Sequence, residues 1–490
     1  MHDAPGSYRT SPTPRWEIAR QLNVHLVLKR GGRPPPSTAV HESIGLDQGS
    51  MLNLMSRLMA DLRPAPRNVV GMGSRSILAV LAALGGLVGA TFVAAVAAPA
   101  PEVQAAGGTT SAYVAMPTSQ RLLDTRRSTP VLAGQTISVS VAGRSPLPTP
   151  GAVTAAVLNL TVVPPSGPGF WTVWPNGSPR PEASNVNVDE VQFLSGSVTP
   201  NLVTVPVSPD GVVDVYSSGG GNVIVDLLGY YTPADTATAG RFEPLRAPTR
   251  VLDTRGAATF SAGETRAFTV PGAAGASAVA LNLTAVTNTP GFWQAYAQGS
   301  PAPATSNLNS PAGQSAAIAN QAIVTVDANG AISIFSENGG DLIIDLVGTY
   351  TGDTAPSSTT GLFVPMSTPT RIVDTRIAAL NPLGGTTRPP MNGTFEVPVA
   401  ANRAIGRSDV SAVAINATTV DALTIGYLTV GTAGATDPAS MPKTSTMNVV
   451  RPSQMLANHA IVPVSERGFF MFTQPGGHLL ADLAGYFVGS

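Results

Sequence analysis

Arg121-Leu-Leu-Asp124-Thr125-Arg126 is the stretch that decides the fold, because the chain contains it in three versions. The other two are Arg250-Val-Leu-Asp253-Thr254-Arg255 and Arg371-Ile-Val-Asp374-Thr375-Arg376. A second phrase follows each copy: Val223-Ile-Val-Asp226-Leu-Leu-Gly229-Tyr230, Leu342-Ile-Ile-Asp345-Leu-Val-Gly348-Thr349 and Leu479-Leu-Ala-Asp482-Leu-Ala-Gly485-Tyr486. We call these phrases the opening motif and the closing motif.

The spacing of the opening motifs sets the size of the repeating unit. Arg121, Arg250 and Arg371 lie 129 and 121 residues apart. Solenoid and propeller repeats have periods of about 20–50 residues, whereas a small domain has about 100–150. We therefore predict three tandem domains at residues 109–233, 241–352 and 361–490, called here the first, second and third segments. Stretches rich in Thr, Ala and Ser at 233–240 and 352–361 are the predicted linkers.

Short β-branched runs alternate with Gly, Pro and Asn turns inside each segment. In the first segment such runs occupy residues 136–141, 155–163, 202–207 and 212–216. Strands of four to eight residues at this spacing are typical of β-sandwiches and barrels. We predict an all-β fold of three tandem sandwiches, each of roughly eight strands in a jelly-roll-like arrangement.

Composition excludes several classes of site. The chain has no cysteine, so disulfides, thiolate metal sites and cysteine nucleophiles are ruled out. Residues 106–490 carry 18 basic and 23 acidic side chains, while nucleic-acid binding needs a basic surface. The sequence contains no Walker loop, nucleophile elbow or dinucleotide fingerprint. We predict no catalytic residue, cofactor, metal or nucleic-acid partner.

Residues 77–100 are apolar and uncharged, with arginines before them and Val103-Gln104-Ala105 after them. This order indicates a signal peptide at 76–105. The stretch also exceeds the ~20 residues that span a bilayer, so an uncleaved anchor is the alternative and the only membrane contact expected. Both interpretations place the segments outside the cytoplasm, secreted or attached to the cell envelope.

Residues 1–75 show no apolar periodicity and contain Pro34-Pro35-Pro36. We predict a disordered leader, and we hypothesise that much of residues 1–50 reflects an over-extended gene start.

The order of motifs resembles a known repeat. Phe363-Val-Pro365 precedes the opening motif, an Asn-bearing strand and a Gly-aromatic pair follow, and Asp482-x-x-Gly485-Tyr486-Phe487 ends the segment. This order is similar to a repeat module of secreted and cell-envelope proteins from GC-rich Gram-positive and some soil bacteria, and the resemblance covers residues 110–490. It implies an extracellular β-rich module of unassigned activity, with no catalytic residue to transfer.

The acidic and basic residues of the two motifs are candidates for a structural clasp. Alternation puts Ile224, Asp226 and Leu228 on one face of a strand, where a carboxylate between aliphatic neighbours is costly unless it is paired. We predict that each closing aspartate lies within ~6 Å of an opening-motif arginine of its own segment. A ligand clamp, in which the arginines bind a carboxylate, is the alternative. The clasp residues are Arg121, Asp124, Arg126, Asp226, Arg250, Asp253, Arg255, Asp345, Arg371, Asp374, Arg376 and Asp482.

Aromatic residues of one strand are the best binding candidates. Phe170-Trp171-Thr-Val-Trp174 aligns with Phe292-Trp293-Gln-Ala-Tyr296 and with Tyr427-Leu428-Thr-Val-Gly431. Leu428 in place of tryptophan marks the second position as core. Alternation then predicts outward pairs that could stack on sugar rings or simply pack at a rim. The predicted ligand-binding residues are Phe170, Trp174, Phe292, Tyr296 and Tyr427.

Asparagine recurs at three further positions, and histidine does not recur. The asparagine sets are Asn159, Asn282 and Asn416; Asn187, Asn309 and Asn448; and Asn201, Asn320 and Asn458. Such side chains can bind metal or sugar, but more often they satisfy backbone groups. His459 and His478 both belong to the third segment, and their spacing matches no zinc motif.

These features predict an exported structural or interaction protein of the cell envelope without catalytic activity. Its expected partners are cell-wall polysaccharide or another envelope protein. One alternative is a carbohydrate-binding array whose weak sites gain affinity by avidity. A second alternative is an extracellular hydrolase with an unrecognised site.

Overall fold

The β-branched runs of the first segment form two sets of four antiparallel strands, and one set continues into a sheet of the third segment. The computed structural model describes residues 108–143, 145–311, 316–400, 402, 404–434 and 444–490, so the predicted leader and export segment lie outside the described residues. The strands are β1 (Ser111–Asp124), β2 (Thr136–Ser140), β3 (Ala155–Pro165), β4 (Gly169–Pro175), β5 (Val186–Val188), β6 (Thr199–Pro206), β7 (Val212–Ser217) and β8 (Gly221–Pro233). One short helix, α1 (Glu190–Leu194), precedes β6.

The second and third segments repeat this set of strands. The second contains β9 (Phe242–Asp253), β10 (Phe260–Thr269), β11 (Ala278–Thr287), β12 (Gly291–Ala297), β13 (Leu308–Ser310), β14 (Ala316–Thr325) and the long β15 (Ala331–Tyr350), which runs through both of its sheets. The third contains β16 (Phe363–Asp374), β17 (Gly393–Val397), β18 (Val410–Val420), β19 (Gly426–Thr432), β20 (Met447–Val449), β21 (Leu456–Pro463), β22 (Phe469–Thr473) and β23 (His478–Val488). Short 3₁₀ turns occupy Thr125–Arg127 and Ala378–Leu380.

Strand order identifies the fold. The first segment pairs its strands as β1-β8-β3-β6 in one sheet and β2-β7-β4-β5 in the other, and the other segments follow the same order. The first strand thus lies beside the last, which is the interleaved order of a jelly-roll sandwich. The all-β fold class is therefore confirmed. Among the described residues no helix is long and apolar enough to cross a membrane.

We call the sheet that contains the first and last strands of a segment its inner sheet, and the other its outer sheet. Both faces of the inner sheet are buried. In β3, Leu158 and Leu160 face the core of the first segment, whereas Ala155 and Val157 face a core that residues of all three segments share. The described residues of all three segments accordingly belong to one compact unit.

Six aromatic rings fill the centre of the shared core. Each ring from a first strand contacts the last-strand ring of its own segment and that of another segment. The contacts within segments are Tyr113–Tyr231 at 5.2 Å, Phe242–Tyr350 at 5.0 Å and Phe363–Phe487 at 5.0 Å between ring centroids. The contacts between segments are Tyr113–Tyr350 at 4.5 Å, Phe242–Phe487 at 4.8 Å and Phe363–Tyr231 at 4.3 Å.

These rings explain the glycine of the closing motif. A Cβ atom on Gly229 would lie 2.2 Å from the Tyr113 hydroxyl oxygen, and one on Gly485 would lie 2.2 Å from Cζ of Phe363. Any larger residue would therefore displace the first-strand ring from the shared core.

Asparagine side chains join the segments in a closed cycle. The first segment donates to the second, the second to the third and the third to the first, as in a cyclic assembly of three subunits. The bonds run from Nδ2 of Asn159 to the Ser306 carbonyl at 2.8 Å, from Asn282 to Ser445 at 2.6 Å and from Asn416 to Ser184 at 2.5 Å. These asparagines satisfy backbone groups, as the sequence suggested, but the groups belong to a neighbouring segment.

The predicted linkers pack against each other. Ala237 and Ser358 form a β-bridge between them. The buried Arg241 donates to the carbonyls of Ala237, Pro356 and Thr360 at 2.8, 2.8 and 3.0 Å. One guanidinium group therefore fixes both linkers.

Candidate functional site

Residues of the two motifs lie in a single cross-strand row on each inner sheet. In the first segment, Arg121 is the backbone partner of Asp226, Asp226 of Asn159, and Asn159 of Leu202. We call this arrangement the polar row. The other rows are Arg250, Asp345, Asn282 and Gln321, and Arg371, Asp482, Asn416 and His459. The row places both motifs and one asparagine set on the face that meets the neighbouring segments.

Each closing aspartate forms an ion pair with the first arginine of its own opening motif. The Nε–Oδ1 distances are 2.8 Å for Arg121–Asp226, 3.0 Å for Arg250–Asp345 and 2.8 Å for Arg371–Asp482. These values lie well within the predicted limit. In each pair the arginine Nη2 also donates to the second carboxylate oxygen.

The second arginine of the opening motif binds the aspartate of that motif instead. Arg126 donates to Asp124, Arg255 to Asp253 and Arg376 to Asp374, with shortest distances of 2.7, 2.6 and 2.7 Å. The threonine between them accepts a hydrogen bond from the backbone at the start of the closing motif, as in Thr125 Oγ1 from Val223 N at 2.8 Å. Every polar side chain of the first opening motif therefore has an internal partner.

Burial and hydrogen bonding act on the two kinds of carboxyl in opposite directions. Burial raises the pKa of Asp226, Asp345 and Asp482, against the lowering effect of their arginines. Hydrogen bonds from Arg126 and Arg255 instead lower the pKa of Asp124 and Asp253.

Arg121 and Arg371 also bind a carbonyl of another segment. Arg121 Nη2 donates to the Ala304 carbonyl at 3.0 Å, and Arg371 Nη2 donates to the Glu182 carbonyl at 2.9 Å. These donors would be needed by a ligand clamp, but they already bind the protein. The geometry therefore favours the structural interpretation of the opening motif.

Trp174 is not placed to bind a ligand, because it packs against the following loop, which is the rim-packing interpretation of the outward pair on β4. Trp174 is only 4% exposed, and its Nε1 donates to the Ser178 carbonyl at 2.9 Å. The loop after β4 folds back over this strand, since Thr172 Oγ1 also donates to the Ala183 carbonyl at 2.7 Å. Tyr296, at the aligned position, lines a small cavity with Pro117 of the first segment.

A different aromatic pair recurs in all three segments. The first ring lies on β4, β12 or β19, and the second lies diagonally across on the neighbouring strand, a separation that aromatic side chains can bridge. The pairs are Phe170–Tyr216, Phe292–Phe335 and Tyr427–Phe472, with ring centroids 5.8, 5.7 and 5.7 Å apart. All six rings except Phe472 are partly exposed. The sequence analysis did not identify the second ring of each pair. A recurring pattern could have revealed it, because an apolar, an aromatic and a hydroxyl residue follow one another in Val215-Tyr216-Ser217, Ile334-Phe335-Ser336 and Met471-Phe472-Thr473.

The second asparagine set accompanies these rings. Phe170 is the backbone partner of Asn187, Phe292 of Asn309 and Tyr427 of Asn448. Directly opposite residues share one face of a sheet. We call each aromatic pair with its asparagine an aromatic–asparagine site.

Two of these asparagines have a side-chain polar atom that forms no hydrogen bond with the described residues. Asn187 Oδ1 and Asn448 Nδ2 are buried and have no hydrogen-bond partner among the described residues. Buried polar atoms are nearly always hydrogen-bonded, so an unpaired one calls for a water or a ligand.

Open grooves adjoin two of the aromatic–asparagine sites. A groove of about 490 Å³ lies between the first and second segments, where Arg121 and Arg126 line it beside Phe292 and Phe335. Another, of about 570 Å³, is lined by Tyr427, Asn448, Met391 and Ile425. Both volumes fall within the ~300–1,000 Å³ typical of small-molecule sites. Among the described residues no group of three or more metal-binding side chains is present.

Comparison with known proteins gives no family. No family model matches the chain, and no curated protein matches it. One solved structure, described as "Structure of the Macrobrachium rosenbergii Nodavirus", is similar at 13% identity over 60% of this chain and 94% of that chain. Its TM-score of 0.11 is too low to support any argument.

Proposed function

We propose that this chain is an exported, non-catalytic interaction protein of the cell envelope that binds glycan through its aromatic–asparagine sites. The observation that carries the proposal is the recurrence of the same aromatic pair and asparagine in all three segments. Export is supported by the apolar stretch at 77–100 and by the resemblance to envelope repeat modules.

The chemistry of the sites suits a sugar. Aromatic rings provide a flat apolar surface for the C–H face of a pyranose, and an amide both donates to and accepts from hydroxyl groups. One site of this kind would be weak. Three sites on one rigid unit would gain by avidity if a single polymer reached more than one of them.

A purely structural role is the second candidate. It is favoured by the polar rows, because their arginines and aspartates bind partners within the protein. In that case the aromatic pairs would stabilise the outer sheets and bind nothing.

Sedimentation with insoluble cell-wall polysaccharide distinguishes the two candidates. The purified protein should bind saturably, and the triple variant Phe170→Ala, Phe292→Ala, Tyr427→Ala should lose binding while remaining folded. Trp174→Phe is the matched control, since this buried residue lies on the same strand as Phe170 and should not affect binding. Lack of retention on every wall fraction would favour the structural role, and turnover of the polysaccharide would support the hydrolase alternative.

A further inference from the structure

The third aromatic–asparagine site differs from the other two in its aliphatic surroundings. Met391 and Ile425 are 53% and 61% exposed, and both line the 570 Å³ groove beside Tyr427. By alignment, Met391-Asn-Gly-Thr replaces Ala133-Gly-Gln-Thr and Ala262-Gly-Glu-Thr, and Ile425 replaces Pro168 and Pro290 before the shared glycine. At these two aligned positions, only the third site has large aliphatic side chains.

The groove is neutral and contains amides. Among the described residues that line it, none is charged, whereas the groove beside Phe292 contains two arginines. Asn448 and Gln474 both line it, and Asn448 Nδ2 lacks a hydrogen-bond partner among the described residues. A neutral ligand with a carbonyl acceptor would satisfy this donor.

We propose that the groove at Tyr427 binds an N-acetylated hexosamine unit of a glycan. The pyranose face lies on the Tyr427 ring, the acetamido group bonds the amides of Asn448 and Gln474, and the acetyl methyl contacts Met391 and Ile425. A plain hexose lacks both the methyl group and the amide, and a uronic acid would bring an uncompensated charge into a neutral groove. The inference rests on the proposed glycan-binding function and specifies its ligand class.

Isothermal titration calorimetry with matched oligosaccharides tests the proposal. The probes are β-1,4-linked tetramers of N-acetylglucosamine, glucosamine and glucose, together with a neutral aliphatic peptide. The acetylated tetramer should bind at least about tenfold more tightly than the other two, a difference of about 1.4 kcal/mol. Equal affinity for the three tetramers, or binding of the peptide alone, would overturn the proposal.

Variants locate the site. Tyr427→Ala should abolish the preference for the acetylated tetramer, and Phe170→Ala should leave it intact. Met391→Ala with Ile425→Pro introduces the residues of the other segments at exposed positions, so it should fold normally while losing most of the preference. A preference that survives in both third-segment variants would overturn the assignment.

The proposed ligand class can be wrong even if the proposed glycan-binding function is right. If the protein is retained on wall polysaccharide but shows no preference among the tetramers, the ligand class is wrong and glycan binding stands. If it is also not retained, both fail.

Discussion

His459 should make folding stability depend on pH in a way that one substitution removes. It ends the polar row of the third segment, where the first and second segments have Leu202 and Gln321. Its side chain is 2% exposed, and Nδ1 lies 2.6 Å from Gln321 Oε1. Since that oxygen also accepts from Ile461 N, Nδ1 must carry the proton, and Nε2 presents an unprotonated lone pair.

Protonation of Nε2 would be unfavourable in the folded state. No described residue lies within hydrogen-bonding distance of this buried atom, so a proton there would find no acceptor. Burial accordingly lowers the pKa of His459 to about 3. The unfolded chain has a histidine pKa of about 6.5 and therefore binds more protons between these two values.

The magnitude follows from the two pKa values. Because the folded pKa is the lower one, the unfolded state gains protons first, and stability falls as the pH drops below about 6.5. At pH 5 the difference of ~1.5 pH units from the unfolded pKa corresponds to about 2 kcal/mol. The carboxyls of Asp226, Asp345 and Asp482 act in the opposite direction, since their raised folded pKa values favour the folded state as they protonate.

Chemical denaturation at pH 7 and pH 5 measures the effect, and His459→Gln isolates it. Glutamine can donate to Gln321 without ionising, so this variant should keep the bond and lose the histidine contribution. The loss of stability between pH 7 and pH 5 should be about 2 kcal/mol larger in the wild type than in the variant. The carboxyl contributions are common to both proteins and cancel. Equal pH dependence in the two proteins would refute the reasoning.

Three further predictions concern the links within and between segments. Asp482→Ala should cost about 3 kcal/mol in unfolding free energy because it removes the bidentate partner of the mostly buried Arg371, which keeps a longer pair with Asp374 at 3.3 Å, whereas Arg371→Met with Asp482→Leu should cost far less; denaturant titration of the single and double variants tests this. Tyr350→Phe should lower the unfolding free energy by about 1–3 kcal/mol, because it leaves the buried Tyr231 hydroxyl without its 2.8 Å partner. Replacing both Tyr231 and Tyr350 by phenylalanine should be nearly neutral in the same titration, because no hydroxyl is then left unpaired. Asn416→Ala should lower the melting temperature of the whole described unit in a single calorimetric transition, since this residue joins the third segment to the first; separate transitions would contradict a shared core.

Local patterns in the sequence were sufficient to predict the strands and the arginine–aspartate ion pairs. Alternation placed Asp226 between Ile224 and Leu228, and the cost of a buried carboxylate required a cation nearby. The second position of the aromatic strand was also predicted correctly as core, because Trp171, Trp293 and Leu428 are all at most 2% exposed. These inferences needed only the periodicity of a strand and the chemistry of the side chains.

The pairing of strands within a sheet and the packing of one segment against another could not be predicted from the sequence of a single strand. The aromatic partner of Phe170 lies on another strand, and only the pairing of β4 with β7 brings Tyr216 beside it. Trp174 alternates correctly toward the outer face, but the following loop covers it. The face of Asp226 likewise meets other segments instead of solvent, and nothing in a single segment indicates that contact.

The shared and the divergent parts of the segments therefore have different roles. Arg371 binds Asp482 of its own segment and the Glu182 carbonyl of the first, so one side chain stabilises both a sheet and the contact between segments. A substitution at such a position would weaken both, which explains why the motifs are alike in the three copies. Met391 and Ile425 carry no such constraint, because they are exposed and lie outside the polar row. Differences in ligand preference among the three sites are accordingly expected at positions of this kind, beside the shared rings and not in the motifs that assemble the molecule.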